Sequence, residues 1–487
     1  LKIGSRLVKN TGFVFVSGIA TKLFSFFFIA YAARVLGPGD FGLYALIGTV
    51  TFLFSYFGNL GIGPMAIREI SRNKHKAHEL FNHILSLRMT LVISSYPILL
   101  LVVNLLGYRK DIKDLIYIAG LSTIFATFSG SLGILYIAFE RFKIPSLVSI
   151  LVSFLSNASY ILVLYLGYGL KGIIWVSLLE GLLGAVISGL WVRTRFFKYR
   201  LAFNSSLWND LMSQSLPFAI LSFFQQATMQ MNTILLSKLP GLFPGEIAMG
   251  YYNPAASICR TALMLPDSLR QATLPRVASN AENLEMVKGI IDKSTHVLLI
   301  MIIFPLILMT TFFPKEIITI IFGKEYLPSA PALTIMGWAY AFQVFNTPVN
   351  VTLAATREIK KFIPWVILLF GINVLLAVPL ILYYSFIGAA IAFLATKVIE
   401  TIFRNYLLRT IWGIKRLEIR KLVKIVFPMT IIFAVLLLAY LGSISSFRLL
   451  ILTLILYIAF LCLMKDFRQR FVTLIHEFRR RSRLWLL

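Results

Sequence analysis

The sequence predicts an all-α polytopic membrane protein of about 14 transmembrane helices, in two pseudo-symmetric six-helix lobes plus two C-terminal helices. Three observations predict it. The 487 residues are 58% hydrophobic and only 14% charged, against roughly 45–50% apolar and about 25% charged in a soluble domain. Apolar runs long enough to cross a bilayer, about 20 residues each, recur along the whole chain. The 47 Lys+Arg exceed the 20 Asp+Glu, for a net charge of +27, and the excess is concentrated in alternate loops. This composition excludes a soluble enzyme, a disulfide scaffold and a disordered nucleic-acid binder. The 2 Cys, Cys259 and Cys462, lie in apolar runs and imply no disulfide framework.

Apolar runs between Gly, Pro and charge clusters place the spans, in order, at 11–34, 41–63, 83–107, 114–138, 145–167, 172–192, 217–238, 249–272, 293–313, 330–354, 363–384, 387–408, 424–442 and 447–464. The apolar run from Thr11 is too long for a cleavable signal. With the N-terminus inside, and with Arg34, Arg88, Lys238, Arg270, Lys293, Lys424 and Arg448 near span ends counted with the adjoining loops, the inner segments hold 34 of the 47 Lys+Arg, the outer loops 9 and the spans 4. The positive-inside rule then places both termini in the cytoplasm of a plasma-membrane protein. In the tail, 467–487, Phe467, Phe471, Leu474, Ile475 and Phe478 recur at helical spacing among arginines. That pattern reads as an amphipathic helix on anionic membrane lipids, or else as a frayed basic end.

The two halves repeat. Pro38-Gly39-Asp40 precedes Gly42, Tyr44, Arg68 and Ser71; Pro244-Gly245-Glu246 precedes Gly250, Tyr252, Arg276 and Ser279, the last four pairs all 208 residues apart. Asn157 and Gly172 match Asn373 and Gly388 at 216. An even number of spans per half makes the repeat parallel. The expected organisation is an N-lobe (1–195), a cytoplasmic linker (196–216), a C-lobe (217–410), spans thirteen and fourteen (411–466) and the basic tail.

Six, six and two spans, with Arg34-Val-Leu-Gly37-Pro38-Gly39-Asp40-Phe-Gly42-Leu-Tyr44 between the first two, resemble the polysaccharide-transporter branch of the multidrug/oligosaccharidyl-lipid/polysaccharide exporter superfamily. Phe322-Gly323-Lys-Glu-Tyr326-Leu-Pro-Ser-Ala330 is a second point of resemblance. The resemblance implies a flippase of lipid-linked oligosaccharides with a cationic cavity between its lobes, to which spans one and eight contribute. It also implies work alongside polysaccharide assembly enzymes. In the related lipid II flippase, polar residues and carboxylates of spans seven, eleven and twelve bind sodium. Spans seven and eleven here carry no acid, and Lys397 comes directly after Thr396, so sodium binding is not expected.

Polar groups inside spans are costly and mark function or pairing. Lys22 sits midway through span one and Arg260 midway through span eight. On span eight Asn253, Ser257, Arg260, Met264, Asp267 and Gln271 lie on one helical stripe, with Arg270 near its end. Span seven adds Gln225, Gln226, Gln230 and Asn232. Lys22, Arg260, Asn253, Ser257, Asp267, Arg270, Gln226, Gln230 and Asn232 are therefore the expected lining of a cationic cavity. A fork of guanidinium donors suits a phosphate or pyrophosphate. The structural alternative is that Lys22 snorkels and Arg260 pairs within the protein. Lys397, Glu400 and Arg404 on span twelve read as a self-paired seam. Glu180, alone in span six, is a candidate for a coupling proton or a protonated structural group. Arg68, Arg72, Lys74, Lys76, His75 and His78 either form a headgroup entrance or simply carry the inside charge.

No G-x-x-x-x-G-K-[ST], H-E-x-x-H, D-x-D or Cys/His cluster occurs, so neither an ATPase, a metal site, a cofactor nor an enzyme is expected. The sequence points to an alternating-access flippase that carries a lipid-(pyro)phosphate-linked oligosaccharide from the cytoplasmic to the outer leaflet, with no nucleic-acid partner. The alternatives are a cation-coupled multidrug extruder and an integral-membrane polysaccharide polymerase. Basic residues at mid-membrane disfavour the first, and the short outer loops disfavour the second.

Overall fold

A computed structural model describes residues 2–72, 74–139, 143–239, 241–264, 266–267, 269–270, 273, 277, 283–355, 359–412, 419–442 and 446–463. The expected tail helix, together with Gln271, Arg276, Ser279 and Cys462, lies outside the described residues or their described side chains. Among the described residues all regular structure is helical. The helices are α1 (Lys2–Ser55), α2 (Ile62–Arg72), α3 (Ala77–Leu105), α4 (Lys110–Ala138), α5 (Lys143–Tyr165), α6 (Gly169–Arg195), α7 (Ser205–Lys238), α8 (Gly245–Thr261), α9 (Leu284–Leu298), α10 (Phe304–Phe312), α11 (Pro314–Ile321), α12 (Ala330–Phe345), α13 (Thr347–Ala355), α14 (Ile359–Trp412), α15 (Ile419–Leu441) and α16 (Ser446–Leu463).

Two of these are pairs of spans. α1 leaves helical geometry at Gly37, whose φ of 68° suits a residue without Cβ; Pro38, which has no N–H to satisfy, starts the second span. α14 breaks in the same way at Ser385, between spans eleven and twelve. Among the described residues, seven helices are long and apolar enough to cross a membrane. Val16–Ser55, with 40 residues, and Phe362–Thr410, with 49, are each long enough to cross twice. α7 falls outside that set because its amides interrupt the apolar run. α8 and α12 are short, with 17 and 16 residues.

Two expected boundaries shift. The linker is helical from Ser205, because the Asn204 side chain accepts from the Leu207 N–H at 3.1 Å and caps α7; Pro217 sits inside that helix. Span nine begins early, at Leu284, where Asn283 caps α9 in the same way.

Within the first half α4 packs on α3 and α6, and α5 on α1 and α6. Its own core joins Phe81, Ile84, Leu132, Leu135 and Val192. Within the second half α14 packs on α7 and α12. α15 and α16 pair with each other and cover Phe304, Leu308 and Phe312 of span nine. The largest core is shared: Phe41, Leu46, Tyr108 and Ile116 of the first half meet Leu236, Tyr252, Phe322, Tyr340 and Phe393 of the second. It lies toward the end of the bundle that carries Gly37, Tyr108, Gly245 and Phe322, called here the hairpin end.

The repeat is visible as geometry. Gly42 of α1 lies against the α8 backbone so closely that a Cβ would sit 1.9 Å from the Glu246 carbonyl oxygen; at Gly250 a Cβ would sit 1.9 Å from that of Pro38. Pro38 and Glu246 are themselves 208 residues apart, so the contact is reciprocal. Gly172 and Gly388 likewise each meet the span that precedes them, at Val163 and at Leu380.

Candidate functional site

The two halves meet first at the hairpin end, and the family-like motif is what joins them. Arg34 Nε donates to the Ile321 carbonyl at 3.0 Å, and its Nη2 to the Ile320 carbonyl. These are unpaired carbonyls at the C-terminus of α11, where a guanidinium also meets the negative end of the helix dipole. Tyr326 returns the contact, its hydroxyl donating to the Ala33 carbonyl at 2.8 Å. Phe41 packs against the rings of Phe322 and Tyr326, at 6.3 and 6.0 Å between centroids. Thus the two segments that carry the resemblance, 293 residues apart at their Ala33–Tyr326 hydrogen bond, grip each other. Arg109, on the loop between α3 and α4, bridges Asp111 at 3.0 Å and Glu246 at 3.4 Å. The Tyr108 hydroxyl meets Ser237 Oγ at 2.9 Å, and the Lys238 ammonium sits 3.4 Å from the centre of the Tyr108 ring. Asp40 stands in reach of the Arg109 charge, and Gly39 has open space around it.

The expected cavity lining divides into three groups. Arg260 is half-buried at the end of α8 among Tyr252, Cys259 and Tyr340, and its Nε is buried without a hydrogen-bond partner. Lys22 is exposed on α1 and makes no ion pair or hydrogen bond with any described residue. Of the expected lining cations, Lys22 has no partner among the described residues, and Arg260 is hydrogen-bonded to Tyr340 with its Nε left over; no contact between the two is seen among the described residues.

The amides behave differently. Asn232 is fully buried and donates to the Tyr252 hydroxyl at 3.2 Å and the Ala389 carbonyl at 3.1 Å. Asn253 is buried too; it accepts from Thr233 and donates to the Met249 carbonyl. Both belong to the packed interior of the second half, not to an open wall: Asn232 donates across helices while its Oδ1 is buried without a partner, and Asn253 bonds Thr233 of α7 and its own helix. Gln230 accepts from Thr49 at 3.3 Å, and Gln226 lies beside Tyr56. Phe223 packs on Tyr56 and Phe57, so these glutamines form a seam between α7 and the second span.

The stripe on span eight is not one helix. α8 stops at Thr261, and a turn follows at 262–263. Ser257 stays with Arg260 on α8. Asp267 and Arg270 are exposed beyond the turn and pair with each other at 3.8 Å, which leaves little charge for an anion.

On α14, Glu400 bridges Lys397 at 2.9 Å and Arg404 through Nε at 2.8 Å. Arg404 also reaches Asn350 and lies over the Phe362 ring at 4.5 Å. Asn373 donates to Thr396 at 3.1 Å, so amides and hydroxyls occupy the place between spans seven, eleven and twelve. On the other half Glu180 accepts from the Tyr160 hydroxyl, with Tyr44 close by.

Sequence reasoning missed Arg88, counted with an inner loop. It is 6% exposed and donates to the Gly58 carbonyl and, at 3.1 Å, to Asn59 Oδ1. It thereby holds the turn where the second span ends. It missed Gln343 as well, whose Oε1 is buried without a partner. A basic or amide residue inside an apolar run was the available signal for both.

A family model described as "Polysaccharide biosynthesis protein" matches residues 7–281, more than half of the chain. The chain belongs to that family. It is 22% identical over 415 residues to the capsular polysaccharide biosynthesis protein CapF of Staphylococcus aureus, covering 83% of this chain and all of that one. Among solved structures it is similar to the lipid II flippase MurJ in an inward closed conformation: TM-score 0.73, 17% identity, 92% of this chain and 97% of that one. It is also similar to an inward-facing multidrug resistance MATE transporter of the MOP superfamily: TM-score 0.62, 14% identity, 79% and 94%. These similarities show a multi-pass membrane protein of the polysaccharide-biosynthesis family with the fold of MurJ and the MATE transporters.

Proposed function

We propose that this family member is a flippase that moves a lipid-(pyro)phosphate-linked oligosaccharide between leaflets by alternating access. The carrying observation is Arg260, a guanidinium inside the bundle whose Nε–H has no acceptor. An unpaired buried donor of this kind costs about 1–3 kcal/mol, more when charged. A phosphate oxygen supplies the missing acceptor and the missing countercharge. Lys22, exposed and unpaired among the described residues, adds a second positive charge on span one.

Alternation needs two halves that separate at one end and close at the other. The glycine contact and the Arg34–Tyr326 grip hold the hairpin end shut in this conformation. On this reading 1–195 and 217–410 are the two lobes, joined by 196–216, and 411–466 is an added pair of spans. The distribution of Lys and Arg supports a hairpin end facing out, with both termini in the cytoplasm and basic loops on anionic lipid. The head would cross between the lobes while the apolar tail stays in the bilayer. Polysaccharide assembly enzymes would supply and consume the glycan.

The test is transport of a fluorescent lipid-pyrophosphate-oligosaccharide in vesicles containing the purified chain. Arg260→Ala should abolish it with insertion unchanged, and Arg260→Lys should keep part of it. Full transport by the alanine variant would sink the anion role.

A further inference from the structure

The first half holds a cavity of about 660 Å³ between α4, α5 and α6, apart from the seam between the halves. Its volume is in the range of small-ligand sites. Apolar surface dominates it, interrupted by serine hydroxyls and one acid, Glu180. None of the described residues that line it is Lys, Arg or His. The Glu180 carboxylate accepts one hydrogen bond, from Tyr160, and no cation lies within ion-pair distance among the described residues. Arg195 stacks on Trp191, which lines the far end of the cavity. It is 15 residues beyond Glu180 on α6, roughly 22 Å by helical rise, too far to neutralise it. Ser129 lines the same space, and its hydroxyl is buried without a partner.

The repeat sharpens the contrast. At the 216-residue offset Glu180 corresponds to Thr396, and at 208 Tyr44 corresponds to Tyr252. In the second half that place is buried: Asn232, Tyr252, Asn373 and Thr396 are each at most 2% exposed and bonded to one another or to nearby backbone, with only the Asn232 and Asn373 Oδ1 atoms left over among these side chains. In the first half the corresponding place opens onto a cavity and carries an acid. An intramembrane carboxylate is expensive without a partner. A cavity that presents one, with apolar walls and the aromatic faces of Tyr136, Tyr160 and Trp191, complements a lipophilic organic cation.

We propose that this cavity binds a lipophilic organic monocation, its charge on Glu180 and its apolar body between α4 and α5. The site is distinct in place and opposite in charge preference from Arg260, so either can fail without the other. The probe is tetraphenylphosphonium, titrated into the purified full chain in detergent, with tetraphenylborate as the anion of matched size. Saturable binding of the cation is expected, at least tenfold tighter than of the anion. Glu180→Gln should weaken it at least tenfold, while Arg260→Ala should leave it unchanged. Gly184→Leu fills the space, since a Cβ there meets only the Ser129 hydroxyl at 3.8 Å, and should abolish binding with the melting temperature retained. Equal binding of both ions, wild-type binding by Glu180→Gln, or a copurifying phospholipid that the cation cannot displace would each overturn the proposal.

Discussion

Gly42 and Gly250 each press Cα against the backbone of the opposite half, and each would place a Cβ 1.9 Å from a carbonyl oxygen there, Glu246 for one and Pro38 for the other. No backbone yields to that overlap, so a side chain at either position must part α1 from α8 at the hairpin end. Gly42→Val and Gly250→Val should therefore disfavour the closed arrangement. Cys259, fully buried about two and a half turns below Gly250, is a native reporter. In a Cys462→Ser background its alkylation should quicken in both variants, and unchanged labelling would mean that the halves do not part.

Arg34→Ala removes two hydrogen bonds to the end of α11. Bonds from a charged donor contribute about 1.5–3 kcal/mol, so a marked drop in thermal stability in detergent is expected. Arg34→Lys should recover only part of it, because an ammonium lacks the planar fork that reaches two adjacent carbonyls. Tyr326→Phe, which loses one neutral bond to Ala33, should cost about 1 kcal/mol.

Glu400 is the acid that both Lys397 and Arg404 pair with inside the bundle. Glu400→Gln leaves two buried cations without it, a change that costs about 3–5 kcal/mol. The variant should be poorly folded by size-exclusion chromatography. Adding Lys397→Met should restore much of the loss, since the neutral amide then faces one cation instead of two. If Glu400→Gln is fully stable, the triad is not what holds the part of α14 beyond Ser385 to Asn350 and to Phe362 on its first part.

Arg88 has no acidic partner among the described residues; its charge rests on the carbonyl of Gly58 and on Asn59. Arg88→Met keeps most of the packing and removes the donors. The expected loss is about 1–3 kcal/mol, seen as a lower melting temperature and as faster proteolysis at the turn 56–61. Insensitivity on both counts would show that the turn is held by its packing on α7 instead.

Much of the site's polarity was legible in the chain, and much of its arrangement was not. Helical spacing placed Asn253, Ser257 and Arg260 on one face of α8, and that holds to Thr261. It could not foresee the turn at 262–263, since nothing in the spacing of polar residues marks the end of a helix. Nor could spacing separate an amide that faces water from one that faces another helix. Asn232 and Arg260 look alike as polar intrusions, yet the Asn232 amide nitrogen is bonded to Tyr252 and Ala389 in a fully buried place, whereas Arg260 is half-buried and keeps an unpaired Nε.

By itself the sequence determined that the chain is a helical membrane protein, how its spans are spaced and that its halves repeat. Those properties are read from run length, charge placement and offset, which are local or periodic along the chain. Only the tertiary structure decided that Gly42 faces Gly250, that Arg34 and Tyr326 lock two distant motifs together, and that Glu180 opens onto a cavity while its counterpart Thr396 is packed. Each of these depends on how one helix is rotated against another, and that rotation is set by the summed packing of both halves rather than by any segment alone.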